Sequence, residues 1–125
     1  MYQFIRQVSR FLALLAFLVL WTEPTLAQSQ AFAITYPESN STVSSPEIVV
    51  EGVGAVPGAT IQVWVYTNDW YLQTGAAHID ESGNWTYAPC HLRGQPPYDR
   101  HMIRARITHG DQVTEAPLVR GVVRE

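Results

Sequence analysis

Aromatic side chains offer the clearest chemistry in this sequence of 125 residues. Six of them are crowded between positions 64 and 87, namely Trp64, Tyr66, Trp70, Tyr71, Trp85 and Tyr87. An exposed Trp or Tyr ring stacks on the apolar face of a sugar, and it serves equally well as an anchor for a protein partner. Trp70 and Tyr71 flank the polar dipeptide Asn68-Asp69, so we predict that they are exposed and bind a ligand together with Trp64.

The competing interpretation is that these rings pack in the core or against one another across strands. A small β domain generally needs at least one buried Trp, and Trp85 is the natural candidate because it follows directly after a predicted turn. The solvent exposure of the tryptophans separates the two interpretations.

The histidines and the single cysteine do not have the spacing of a metal site. Zinc ligands usually come in short pairs such as Cys-x2-Cys or His-x3-His. Here the side chains are scattered, and the adjacent Cys90 and His91 would point to opposite faces of a strand. We therefore predict no metal and no cofactor; the residues considered are His78, Cys90, His91 and His101.

Catalytic motifs are also missing from the sequence. It contains no Gly-x-Ser-x-Gly elbow, no His-Glu-x-x-His pair and no phosphate-binding glycine loop. We predict a protein that is not an enzyme and has no catalytic residues.

The charge balance excludes some classes of partner. After Ala27 the chain has ten acidic and six basic residues, all of the latter Arg, for a net charge of −4. Nucleic-acid binding needs clustered positive charge, and docking on anionic membranes needs it too. We expect neither partner.

The N-terminal segment has the three parts of a secretory signal peptide. Arg6 and Arg10 precede an apolar run at positions 11–21, and the small-x-small sequence ending at Ala27 follows. The run is much shorter than the roughly 20 residues of a membrane-spanning helix. We predict a signal peptide at 1–27 that is cleaved off, with a cut after Ala33 as the alternative, and one domain at 28–125. The domain is expected to be exported to the periplasm or outside the cell and not to insert into a membrane after cleavage.

Cys90 is the only cysteine, so no disulfide can form within the domain. We expect it to be buried as a small apolar side chain, with an intermolecular disulfide as the alternative. An exported domain without disulfides is more typical of bacteria than of animals.

Strand patterns recur along positions 28–125, and turn residues separate them. Turns are predicted at Pro57-Gly58 and at Asp80 to Gly83, where Asp and Gly suit the first and fourth positions of a type I turn. Seven or eight strands in a two-sheet antiparallel sandwich follow from this spacing. The predicted strands are 32–36, 47–53, 60–66, 70–74, 76–79, 84–88, 101–108 and 112–123, the last interrupted by Pro117.

Alternation within two of these strands predicts which side chains face the core. The predicted core positions are Ile61, Val63, Val65, Ile103, Ala105 and Ile107. The predicted outward positions are Trp64, Tyr66, Arg104 and Arg106.

This order of motifs resembles the immunoglobulin-like modules of bacterial exported and cell-surface proteins. The matching segments are Tyr36-Pro37, Ile48 to Gly52, Pro57-Gly58, Val63 to Val65, Trp70 to Gln73, Asp80 to Trp85, and His101 to Ile107. One departure is Leu72, which precedes Gln73 where those modules usually have Pro. The resemblance implies an immunoglobulin-like sandwich, and such modules act as spacers, adhesins and binding accessories.

We therefore expect a non-catalytic exported binding or interaction module whose partner is an unidentified protein or glycan. One alternative is a carbohydrate-binding accessory domain that uses Trp70, Tyr71 and Trp64. Another is a structural spacer or an assembly subunit that pairs through its edge strands, where strand addition supplies main-chain hydrogen bonds. The oligomeric state stays open.

Overall fold

Ten β-strands and no helix make up the part of the chain that the structure describes. The structure is a computed structural model, and it describes residues 30–94, 96–97 and 99–125. The predicted signal peptide at 1–27 lies outside these residues. The strands are β1 (Ala33–Tyr36), β2 (Thr42–Val43), β3 (Glu47–Val53), β4 (Thr60–Tyr66), β5 (Trp70–Leu72), β6 (Ala76–Ile79), β7 (Trp85–His91), β8 (Arg100–His109), β9 (Gln112–Glu115) and β10 (Val119–Arg124).

The strands form two sheets. The four-stranded sheet has the order β1-β3-β7-β6. The six-stranded sheet has the order β2-β10-β8-β4-β5, and β9 pairs with β8 beyond the end of β10. All pairs are antiparallel except that of β10 with β2, which is parallel. The predicted all-β fold with two sheets is therefore confirmed, and the prediction that its strands are antiparallel holds for every pair except β10 with β2.

One hydrophobic core is shared by the two sheets, an arrangement consistent with a sandwich. Val50 and Cys90 reach it from the four-stranded sheet, and Val63, Ile103 and Ala105 reach it from the six-stranded sheet, all of them fully buried. Strands β4 and β8 alternate buried and half-buried residues along their length, because every second side chain points away from the core. The six predicted core positions on these strands are all buried, as expected.

Trp85 is the buried tryptophan, as predicted. Only 1% of it is exposed, its ring stacks on Phe32 with 5.2 Å between centroids, and its indole N–H donates to the carbonyl oxygen of Val53 at 3.0 Å. Gly52 lies directly opposite Trp85 in the sheet. A Cβ atom at Gly52 would collide with the indole ring, so glycine is required there for the ring to lie over β3.

Both predicted turns are present. At the first, the amide of Ala59 donates to the carbonyl oxygen of Val56 at 3.0 Å, and Gly58 adopts a φ of +89°. At the second, the Asp80 carboxylate accepts hydrogen bonds from the amides of Ser82 at 2.9 Å and Asn84 at 3.0 Å. Desolvation acts to raise the pKa of Asp80, but the hydrogen bonds that its carboxylate accepts outweigh this together, so that its pKa lies below its ordinary value.

The strand count differs from the predicted seven or eight for two reasons. The last predicted strand is divided into β9 and β10, with the break around Pro117. The two-residue strand β2 lies in a Ser- and Pro-rich segment that the sequence predicts to be a loop. The prediction missed it because only its pairing with β10 makes it a strand.

Strand β7 is longer than predicted and continues through Pro89 to His91. It can do so because Pro89 falls in a bulge where no ladder hydrogen bond is needed.

Candidate functional site

The three aromatic residues predicted to bind a ligand do not share one surface. In the pairing of β4 with β5, Trp64 lies opposite Leu72, Tyr66 opposite Trp70, and Val65 opposite Tyr71. Residues that lie opposite each other point to the same side of a sheet. Trp64 and Trp70 are therefore on the outer face, whereas Tyr71 is on the inner side with the buried Val65.

On the outer face, aromatic rings and guanidinium groups stack in an alternating row, here called the Trp–Arg ladder and made of Trp64, Tyr66, Trp70, Arg104 and Arg106. The Arg104 guanidinium lies 4.3 Å from the Trp64 ring and 5.3 Å from the Trp70 ring. Arg106 lies 5.0 Å from the Trp64 ring. Trp70 meets Tyr66 edge to face, with 5.3 Å between centroids.

The ladder leaves little room for a sugar on its rings. Trp64 is contacted by two guanidinium groups, and both Trp64 and Trp70 are only half-exposed. Arg106 is held in turn by Glu115, whose carboxylate accepts a hydrogen bond from its Nε at 2.6 Å. The prediction that Trp70 is well exposed beside its turn is therefore wrong, because the ring packs between Arg104 and Tyr66.

Tyr71 lies in a different place, at a pocket of about 560 Å³ beside the edge strand β5. The pocket is lined by side chains from three parts of the chain, namely Val65 of β4, then Thr67, Asn68 and residues 71–74 around β5, and finally His91, Arg93 and Gly94 at the end of β7 and just after it. Tyr71 is 51% exposed, although it is on the inner side, because β5 is the last strand of its sheet. This is the most exposed of the three predicted site rings.

The Tyr71 ring is held in position. Its hydroxyl donates to the side-chain oxygen of Asn68 at 2.9 Å. Asn68 also lines the pocket, and its side-chain nitrogen has no hydrogen-bond partner within residues 30–94, 96–97 and 99–125, so it can donate to a ligand. A ring with a fixed orientation loses less entropy when it binds a ligand.

Gln73 fixes two of the segments that line the pocket relative to each other. Its side-chain nitrogen donates to the carbonyl oxygen of Tyr71 at 3.0 Å, and its side-chain oxygen accepts from the amide of His91 at 2.7 Å. Its main-chain carbonyl accepts from the Tyr87 hydroxyl at 2.8 Å. Because Gln73 is buried and its polar atoms are satisfied, the pocket is formed before any ligand arrives.

Thr67 and Arg93 join the same two segments at another point. The Thr67 hydroxyl donates to the Arg93 carbonyl oxygen at 3.3 Å. Arg93 is exposed, and among the described lining residues it is the only one with a permanent charge. His91, also in the lining, lies 3.5 Å from the Glu47 carboxylate. The sequence did not point to Asn68, Gln73 or Arg93 as site residues, because their roles depend on contacts between distant segments.

Two of the candidate metal ligands considered from the sequence are buried in the core. Cys90 is fully buried, as expected, and burial raises the pKa of its thiol to about 12. His101 is also buried, on the core side of β8. Within the described ranges, no three His, Cys, Asp or Glu side chains come together as a metal site.

Comparisons of the chain with known proteins were made at three levels. Matches were sought among protein-family models, among curated proteins and among solved structures, and none was found. Among the described residues there is no helix long and apolar enough to cross a membrane.

Proposed function

We propose that this protein is a non-catalytic exported binding module that holds a saccharide in the pocket beside β5. The observation that carries the proposal is the Tyr71 ring, which is exposed at the pocket and held by Asn68. An exposed, oriented aromatic ring provides the apolar surface on which a sugar ring stacks. Export is supported by the signal-like sequence at 1–27.

The polar groups of the pocket suit the hydroxyl groups of a sugar. Asn68, Thr74 and Arg93 all line it, and the Asn68 side-chain nitrogen, the Thr74 hydroxyl and the Arg93 guanidinium have no hydrogen-bond partner in the part of the chain that the structure describes. Ligand pockets typically measure about 300–1,000 Å³, and a few convergent polar groups orient the ligand in them. A pocket of about 560 Å³ falls within this range.

The strand order supports an immunoglobulin-like module as the carrier of this pocket. The order β1-β3-β7-β6 of the four-stranded sheet resembles the A-B-E-D order of immunoglobulin domains. In the other sheet, β4 and β8 resemble strands C and F, and β9 and β10, which both pair with β8, together resemble strand G. Two features differ from antibody domains. The buried Trp85 is on the strand that corresponds to E rather than C, and Cys90 is the only cysteine.

Tyr71→Ala tests the saccharide proposal. The purified protein is first applied to an array of oligosaccharides, and the affinity for each bound one is then measured by calorimetry. Losing the stacking ring should weaken binding by about 2 kcal/mol, or roughly thirtyfold. Tyr36→Ala is the matched control, because Tyr36 is 43% exposed but lies on the other sheet, and it should bind normally.

Two results would refute the saccharide proposal. One is that no oligosaccharide on the array binds, and the other is that the folded Tyr71→Ala variant binds as well as the wild type.

A second candidate function, assembly through an edge strand, is favoured by β6. This strand ends the four-stranded sheet, three of its four residues are exposed, and it has neither the charged residues nor the proline that usually protect an edge. A strand from a partner could pair with it. Sedimentation should then show self-association that Ala76→Lys abolishes, whereas a monomer at all concentrations would exclude self-assembly by this route.

A further inference from the structure

We infer that the saccharide is acidic and that its carboxylate binds the guanidinium of Arg93. This inference rests on the proposed saccharide pocket and adds the chemical class of its ligand. Three observations carry it, namely the charge of the pocket lining, the absence of a counter-ion for Arg93, and the position of Arg93 relative to Tyr71.

The charge of the pocket is opposite to that of the chain around it. From position 28 onward the protein has ten acidic and six basic residues. The residues that line the pocket nevertheless include Arg93 and no Asp or Glu. Arg124 adds to the positive charge, because its guanidinium donates a hydrogen bond to the carbonyl oxygen of Gly94, which also lines the pocket.

Arg93 has no counter-ion among the described residues, whereas Arg104 and Arg106 do. Arg104 and Arg106 both lie near the Glu115 carboxylate, at 3.8 and 2.6 Å. Near the pocket, the Asp69 carboxylate accepts a hydrogen bond from the amide of Trp70 at 2.8 Å, and Glu47 lies beside His91. The Arg93 guanidinium is therefore available to a ligand, and its planar pair of donors matches a carboxylate.

Arg93 and Tyr71 are positioned to act on one molecule. Both line the same pocket, and the backbone of Arg93 is anchored by the hydrogen bond from Thr67. A ligand that satisfies both must combine an apolar ring face with a negative charge. A uronic acid has this combination, since its carboxylate is attached at the edge of the sugar ring.

The test compares uronic acid oligosaccharides with their methyl esters, which keep the shape and remove the charge. Oligosaccharides of glucuronate, galacturonate and mannuronate are titrated into the full protein by calorimetry. An oligosaccharide that binds as the acid should bind about tenfold more tightly than its methyl ester, because one charge-assisted hydrogen-bond pair usually has an effect of this size. The preference should shrink as salt is added, because ions screen exposed charges.

Arg93→Gln should reduce this preference of the acid over its ester to less than about twofold. Arg93→Lys should retain part of the preference for the acid, because lysine keeps the positive charge but lacks the two parallel N–H donors of the guanidinium group. Arg100→Gln is the matched control, since Arg100 is an exposed arginine outside the pocket, and it should bind like the wild type. Thermal melts of all variants check that they are folded.

The outcomes distinguish the inference from the proposed function. If the wild type binds esters as tightly as acids, or if Arg93→Gln keeps the preference, the acidic ligand is refuted while the saccharide pocket stands. If a sulfated sugar binds more tightly than every uronate, the carboxylate assignment is refuted. If neither acids, esters nor the array oligosaccharides bind, both proposals fail.

Discussion

At the scale of single residues, Trp85 and Gly52 depend on each other. The indole ring occupies the space beside Gly52 that any larger side chain would fill, and Phe32 stacks on Trp85. The indole N–H is satisfied by a backbone carbonyl, so the largest side chain of the core leaves no polar atom unpaired. The core is therefore sensitive to changes at either position.

We expect Trp85→Ala to lower the free energy of unfolding by about 3–5 kcal/mol, because it empties a large buried site. A domain of this size has a total stability of about 5–15 kcal/mol, so the variant should be close to unfolding. Tyr71→Ala is the comparison, and at its exposed position it should change stability by about 0.5 kcal/mol or less. Urea unfolding followed by circular dichroism measures both, and a Trp85→Ala variant within 1 kcal/mol or so of the wild type would contradict the core assignment.

At the scale of elements, the Trp–Arg ladder joins three strands across one face of a sheet. Trp64 comes from β4, Trp70 from β5, and Arg104 and Arg106 from β8. The Nε atom of Arg104 is buried and has no hydrogen-bond partner among the described residues, so the contact with the indole rings and the Glu115 carboxylate 3.8 Å away together compensate its burial. The ladder should act as a structural element of the sheet rather than as a free binding surface.

A double-mutant cycle tests this structural role. Trp64→Leu and Arg104→Gln, separately and combined, should give a coupling energy of about 0.5–1 kcal/mol in urea unfolding, the range for a partly exposed cation–π contact. The same cycle with Arg120→Gln in place of Arg104→Gln is the control, since Arg120 contacts Met102 instead. Equal coupling in the two cycles would show that the Trp64–Arg104 contact has no specific energy.

At the scale of the whole molecule, His101 links the stability of the fold to pH. Its Nδ1–H donates to the Tyr66 carbonyl at 3.1 Å, since a carbonyl can only accept. Its Nε2 is buried and has no partner in residues 30–94, 96–97 and 99–125. Burial lowers the pKa of His101 below its ordinary value, and the hydrogen bond to Tyr66, which acts in the opposite direction, does not cancel this.

The direction of the pH effect follows from this lowered pKa. Below the ordinary value of 6.5 the unfolded chain takes up the proton first, so the stability that neutral His101 contributes is complete above pH 6.5 and is lost as the pH falls towards the folded pKa. The melting temperature should therefore drop between pH 7 and pH 5 or so. The melting temperature of His101→Gln should drop less over this range. His78→Gln, which changes an exposed histidine, is the control and should follow the wild type. Parallel curves of melting temperature against pH for all three proteins would contradict the role of His101.

The sequence by itself determined the features of this fold that depend on neighbouring residues. Strands β3, β4 and β6 have the predicted bounds, and the Asp80 turn and the burial of Trp85 are as predicted. The physical reason is that alternation and turn chemistry act over a few residues, so they can be recognised without knowing what packs against them.

Only the tertiary structure decided how the candidate site is assembled. Trp70 and Tyr71 are adjacent in β5 and therefore point to opposite sides of the sheet, but the register of β5 on β4 decides which of them shares a side with Trp64, and a shift of one residue would reverse that choice. Stacking with Arg104 occupies the Trp64 ring, and the fold brings Arg93 to the pocket of Tyr71. These are contacts between segments far apart in the chain, and local patterns contain no information about which distant side chains will meet.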